Sequence, residues 1–135
     1  MRIRRPARPD WDQIVSLAQE CGLDYAGMER DQFLVAEEGG RLGGIVAFKI
    51  HAGCRELCAL GVAPALRGRG IGRRLVLELV GGVRGDVYLA TIIPAFFEPL
   101  GFERCAVVPR SMVKDDEWCA GCRRDLCAVM VRRQP

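Results

Sequence analysis

Apolar and polar positions along the chain follow two rhythms, and each change of rhythm marks an element. In PDWDQIVSLAQECG, Ile14, Leu17, Ala18 and Cys21 recur at three- and four-residue spacing. That is the period of a helix with one buried stripe. Asp10 with Gln13 three residues on predicts a capped start, and Gly22 predicts the end. The same rhythm returns near residues 70 to 80, where Ile71, Leu75, Val76, Leu79 and Val80 share a face and Gly81-Gly82 closes the helix. On its outer side Arg74 and Glu78 are spaced for an i, i+4 ion pair. Between the helices the pattern changes. DQFLVAEE and RLGGIVAFKI flank Gly39-Gly40 and predict a β-hairpin. RELCALGVAP reads as a third strand that stops at Pro64, and MRIRR as a short first strand. DVYLAT is almost continuously apolar, which predicts a central strand. PAFFEPLG fits a short helix. FERCAVV and LCAVMVRR read as two closing strands around an irregular insertion at about 109–125. A meander, a helical crossover to a central strand, a helix and a last hairpin define an α/β (α+β) chain with a mixed sheet.

Composition narrows the class. The 135 residues predict one domain, and 50% apolar residues can fill its core. No run of eighteen apolar residues occurs, so no membrane partner is expected. MRIRRPARPDW is basic but lacks a following apolar segment, so it is not a secretory signal, and the expected location is cytoplasmic. Twenty basic against seventeen acidic side chains leave a net charge of +3. The interleaved acids argue against nucleic acid and suit a small anionic ligand. Seven cysteines, an odd number, argue against a disulfide framework.

One stretch concentrates chemistry. LRGRGIGRRL, residues 66 to 75, joins the third meander strand to the second helix. A helix start leaves backbone N–H groups unpaired, and the helix dipole makes them an anion site. Glycines let a phosphate approach without a Cβ in the way, and arginine adds charge-assisted hydrogen bonds. A P-loop would need a Gly-Lys pair, and the loop has no lysine. The dinucleotide pattern Gly-x-Gly-x-x-Gly fails too: Arg73 stands sixth from Gly68, and Leu75 sixth from Gly70. A different phosphate cradle, or a glycine-rich turn with solvated arginines, remains.

Arg67-Gly68-Arg69-Gly70-Ile71-Gly72 matches the Arg-x-x-Gly-x-Gly pattern of the GNAT acyltransferase superfamily. ELCALGVAPALRGRGIG resembles its fourth strand and coenzyme A pyrophosphate loop, and YLATIIPAFFEPLGF its fifth strand and following helix. The resemblance covers nearly the whole chain and implies one GNAT domain, 1–135, with a mixed, mostly antiparallel sheet flanked by helices. It implies that the N–H groups from Arg67, Gly68, Arg69 and Gly70 to Ile71 and Gly72 hold the pyrophosphate of acetyl-CoA, with Arg73 leaning towards its phosphates. Leu60, Gly61 and Val62 would line the pantetheine arm, and a backbone N–H near Leu60 would polarise the thioester carbonyl. Thr91 and Phe96 would complete the cofactor-binding set.

Acetyl transfer to an amine needs a base to remove the ammonium proton. The resemblance places Glu56 in that role; a solvated or salt-bridged strand-end acid, beside Arg55 or Lys49, is the alternative. Many relatives carry a tyrosine in an FYEKLGF-like stretch. FFEPLGF puts Phe97 there, which cannot protonate the departing thiolate. Phe96-Phe97 before Leu-Gly-Phe resembles the N-acetylglutamate synthase-like acetyltransferases, which implies a small amine acceptor, an amino acid or similar compound. Arg30, Arg55 and Arg110 are the candidates for clamping its carboxylate.

CAGCRRDLC contributes Cys119, Cys122 and Cys127. Cys-x2-Cys is half of a common zinc knuckle, but a closed structural zinc site needs four ligands. Cys105 or His51 would have to supply the fourth, so structural zinc is a secondary expectation beside plain thiols. His51 otherwise reads as a turn residue. The sequence therefore predicts an acetyl-CoA-dependent N-acetyltransferase working by direct transfer in a ternary complex. The alternative is a non-catalytic acyl-CoA-binding regulatory module with a cysteine-rich metal or partner loop. An exposed edge on the final hairpin would suit a homodimer.

Overall fold

The computed structural model describes residues 1–112 and 127–135. The backbone groups into two compact units, Met1–Lys49 with Leu57–Val83, and Ile50–Glu56 with Arg84–Pro135. The elements are β1 (Arg2–Arg4), α1 (Trp11–Glu20), β2 (Phe33–Glu38), β3 (Arg41–His51), β4 (Cys54–Val62), α2 (Ile71–Gly81), β5 (Val87–Thr91), α3 (Pro94–Phe97), β6 (Glu103–Arg104) and β7 (Ala128–Arg132). The strands are hydrogen-bonded in the order β1-β2-β3-β4-β5-β7-β6. β4 and β5 pair in parallel, whereas β1 with β2, β2 with β3, β5 with β7 and β6 with β7 are antiparallel. This is the mixed, mostly antiparallel sheet with helices that the pattern predicts.

In the first unit the β2–β3 hairpin forms where Gly39 and Gly40 allow it. Both have positive φ, 60° and 80°, the pair of left-handed conformations that a two-residue turn matched to strand twist requires. The paired strands are buried on both faces. Phe33, Val35, Ile45 and Ala47 form one core with Ile14, Leu17 and Ala18 of α1, and each large side chain there contributes on the order of 1.5–3 kcal/mol. Trp11 meets Phe33 edge-on, with ring centroids 5.9 Å apart. The alternate positions face α2. A Cβ at Gly44 would lie 2.9 Å from Leu75 Cδ1 and 3.0 Å from Ile71 Cγ2, so the missing side chain sets how closely α2 approaches. Ile71, Leu75, Val76, Leu79 and Val80 are all buried, as their spacing predicts.

Two local expectations fail. Asp10 stands at the N-terminal boundary of α1 but makes no side-chain cap, and Gln13 does not reach back to it. The Asp10 carboxylate instead accepts from Ala7 N at 2.6 Å and from Arg4 at 2.7 and 3.3 Å. Gln13 Oε1 accepts from Leu42 N at 3.0 Å. An arginine fork offers a carboxylate two charge-assisted donors, a stronger pairing than a lone peptide N–H. Arg4 also donates to Glu37 at 2.6 Å, so one guanidinium ties β1 to both β2 and the turn before α1. Nor does any ion pair join Arg74 to Glu78 among the described residues, as expected for an exposed pair whose side-chain entropy cancels its attraction.

In the second unit β5 lies between β4 and β7, paired with β7 along its whole length from Val87–Arg132 to Thr91–Ala128. The first closing strand is shorter than FERCAVV predicts. β6 covers only Glu103–Arg104, paired with Val131 and Met130 of β7. Cys105 N still donates to Val129 O at 2.8 Å, after which Val107 stands exposed. The insertion expected at 109–125 begins as a single turn, Arg110–Met112. Its remainder lies outside the described residues. No helix among the described residues is long and apolar enough to cross a membrane.

The Arg4 guanidinium, followed by the Ala7 N–H, holds the Asp10 carboxyl below its ordinary range. A depressed carboxyl stabilises the fold above its unfolded-state value, near 4, and loses that contribution as pH falls through the folded value. Asp10→Asn should therefore cost about 2 kcal/mol at pH 7. The gap between variant and parent in urea melts should narrow progressively below about pH 4.

Candidate functional site

The loop between β4 and α2 begins with a single turn at Pro64–Leu66 and runs into α2 through Gly70. Gly68 and Gly70 have φ of 86° and 79°, which an L side chain adopts only at a cost. A Cβ at either position would meet nothing within 4 Å. The conformation requires glycine there, and the space above it is open. Gly70 is the N-cap residue of α2 and supplies no side-chain cap. The first N–H groups of the eleven-residue helix, from Ile71 onward, have no intrahelical acceptor, and the helix dipole adds partial positive charge at that end.

The loop arginines separate by role. Arg67 turns back: its Nε donates to Val62 O at 3.1 Å, and a terminal nitrogen reaches Cys21 Sγ at 3.8 Å. It fixes the end of β4 beneath the loop. Arg69 meets Glu38 at 3.4 Å in an exposed pair. Arg73 is exposed on the first turn of α2 and makes no ion pair among the described residues.

The strand leading into the loop is irregular where the sequence points to the acyl group. Ala59 has φ of 51°, the one positive value at a non-glycine residue among the described residues. Such a residue costs on the order of 1–2 kcal/mol and breaks the alternation of the strand, so the peptide groups that follow, at Leu60 to Val62, take a new direction. Gly61 is buried, and a Cβ there would lie 2.8 Å from Leu23 Cδ1 and 3.1 Å from Cys21 Sγ.

Glu56 is one of two buried charged residues among those described. It pairs with Tyr88, the single register pair between β4 and β5 among the described residues. Its Oε1 lies 2.7 Å from Nε2 of His51, and the two side chains are 8% and 11% exposed. Neither expected neighbour is the partner. Arg55 donates instead to Arg84 O at 2.9 Å. His51 is the residue that sequence reading missed, taking it as a turn residue or a zinc ligand. Its signal was there: a two-residue connection, Ala52-Gly53, sets residues 51 and 56 diagonally on one face of the hairpin, within reach of long side chains.

Thr91 ends β5, where its Oγ1 accepts from Ile93 N at 3.0 Å. Phe96 is half-buried and packs edge-on against Phe97 at 4.9 Å. Phe97, at the expected tyrosine place, is buried against Phe102 and serves the core. Tyr25 Oη accepts from Gln19 at 3.0 Å. Of the expected metal ligands, Cys119 and Cys122 lie outside the described residues, and Cys127 is exposed. Cys105 Sγ donates to Val107 O at 2.9 Å. No group of three or more His, Cys, Asp or Glu side chains able to hold a metal ion occurs among the described residues.

A helix N-terminus kept bare by left-handed glycines, after a distorted strand, is a site suited to an anion. The acetyltransferase (GNAT) domain family model matches residues 29–104, and the chain belongs to that family. Among solved structures it is similar to the N-acetylglutamate synthase of Neisseria gonorrhoeae complexed with coenzyme A and N-acetyl-glutamate, at 21% identity and a TM-score of 0.78. That match covers 99% of this chain but 35% of the synthase chain. Rv2747 of Mycobacterium tuberculosis, in complex with coenzyme A, matches over the whole of both chains at 20% identity and a TM-score of 0.75. The PaiA N-acetyltransferase of Thermoplasma acidophilum, also with coenzyme A, matches over 98% of each chain at 19% identity and a TM-score of 0.67. No curated protein sequence matches the chain.

Gly61→Ala should destabilise the first unit by about 1–3 kcal/mol through overpacking. Equilibrium urea unfolding measures the loss.

Proposed function

We propose that the protein transfers the acetyl group of acetyl-CoA to the amine of a small amino acid or amino-acid-like acceptor. The observation that carries the reading is the pair of left-handed glycines at the bare N-terminus of α2. A pyrophosphate needs several convergent N–H donors and close backbone approach; residues Gly68 to Gly72 are the ones to offer both, since the Arg67 N–H donates to Pro64 O at 3.4 Å. Arg73 adds a cation beside them that has no ion-pair partner among the described residues. The coenzyme A carried by the three similar structures supports the same ligand. The acceptor class rests on FFEPLGF and on the likeness to a synthase complexed with N-acetyl-glutamate.

The chemistry assigned to the chain is short. Glu56 takes a proton from the acceptor ammonium, directly or through water, and frees the lone pair. The amine nitrogen attacks the thioester carbonyl carbon, whose oxygen gains charge beside the backbone N–H at Leu60. The carbon–sulfur bond then breaks, the thiolate leaves and is protonated, and the nitrogen loses its second proton to give the amide. A thiol with an ordinary value near 8.5 is an adequate leaving group, so Phe97 at the tyrosine place is compatible with turnover if solvent supplies the proton.

Thiol release from acetyl-CoA should accelerate with at least one acceptor in a panel of glutamate, aspartate, other amino acids and polyamines. Binding of coenzyme A without acceleration by any of them would favour a regulatory acyl-CoA-binding module. Glu56→Gln should lower kcat by about 10²–10⁴-fold with little change in coenzyme A affinity. Gly70→Ala should do the reverse, weakening coenzyme A binding about tenfold in calorimetric titration, because the Cβ strains the left-handed loop by on the order of 1–2 kcal/mol.

A further inference from the structure

Glu56 does not stand alone, and its partner has a chemistry that a strand-end carboxylate lacks. His51 closes β3 and Glu56 lies in β4, with Ala52-Gly53 between the strands. Gly53 has φ of 87° and turns the chain back at once. The hairpin therefore holds the two side chains on one face by backbone geometry, and their 2.7 Å contact is nearly closed to water. Glu56 makes no second side-chain hydrogen bond among the described residues, and no buried polar side-chain atom there lacks a partner. Oε1 is thus committed to His51, and Oε2 is the oxygen left for a proton.

We propose that His51 is a positioning residue for the transfer reaction: its Nε2–H holds Oε1 and so aims Oε2 of Glu56 at the acceptor. The inference rests on the reading of Glu56 as base. A neutral imidazole carries its proton on one nitrogen, and the hydrogen bond made by that nitrogen selects the tautomer. Donation to Glu56 keeps a proton on Nε2. A carboxylate on a strand end would otherwise sample several rotamers, and a base that is out of place contributes little.

His51 is the sole histidine of the chain, so every imidazole signal belongs to it. In 15N-histidine-labelled protein, long-range proton–nitrogen spectra should show a proton held on Nε2, and Glu56→Ala should change that pattern. Identical spectra in parent and variant would overturn the inference. With the best acceptor, His51→Ala should lose about 10–100-fold in kcat, the scale seen when a partner that orients a functional ligand is removed. The KM for acetyl-CoA should stay within about twofold, because uniform binding is untouched. His51→Gln places an amide N–H where Nε2 stood and should recover most of that loss. Unchanged kcat in His51→Ala, or equal losses in both variants, would refute positioning. The spectra require no turnover. A panel with no active acceptor therefore sinks the base reading, and His51's role with it, whereas a working parent enzyme with an indifferent His51→Ala sinks the inference alone.

Discussion

A helix that begins without a cap presents its first peptide N–H groups to whatever lies in front of them, and α2 begins that way. The cost of leaving those donors unpaired is ordinary in water and becomes useful when an anion arrives. Much of the first unit maintains that arrangement. Gly68 and Gly70 take conformations closed to most side chains. Gly44 lets Leu75 and Ile71 sit against the sheet, which seats the helix. The Arg67 side chain turns inward and pins Val62. Holding the backbone that donates is as necessary as adding charge, because a wandering loop would lose the convergence of its N–H groups.

β4 carries a second constraint. The same strand contributes Glu56, the left-handed Ala59, the buried Gly61 and the entrance to the loop. A strand that only filled a sheet would alternate sides and pair throughout. This one carries the left-handed Ala59 and, among the described residues, a single register pair with β5. Strain of this sort persists only when its surroundings fix it, and the surroundings here include Cys21 and Leu23, packed against Gly61.

Much of this was legible in the sequence because it rests on local patterns. Helical spacing gave the buried faces of α1 and α2, except that Cys21 caps α1 and is half-buried; Gly39-Gly40 gave the hairpin, and the Arg-x-x-Gly-x-Gly stretch gave the loop. The misses share a cause. Asp10 and Gln13 have the right spacing for a cap, yet each found another partner outside α1, Arg4 and the Leu42 N–H. FERCAVV has the composition of a full strand, but its backbone leaves β7 after Cys105, although β7 runs on to Ala128. Phe97 is a departure at a catalytic place in the sequence and a core residue in the fold.

The sequence by itself determined the element order, the glycine loop and the family, since backbone conformation and hydrophobic period are written in neighbouring residues. The tertiary structure decided the pairing of side chains. Which acid meets Arg4, where Arg67 points and what accompanies Glu56 depend on how strands turn and align, and a hydrogen bond forms with whichever partner the backbone brings within about 3 Å. His51 shows the difference most plainly: alone it is a turn residue, and beside Glu56 it becomes half of a buried pair.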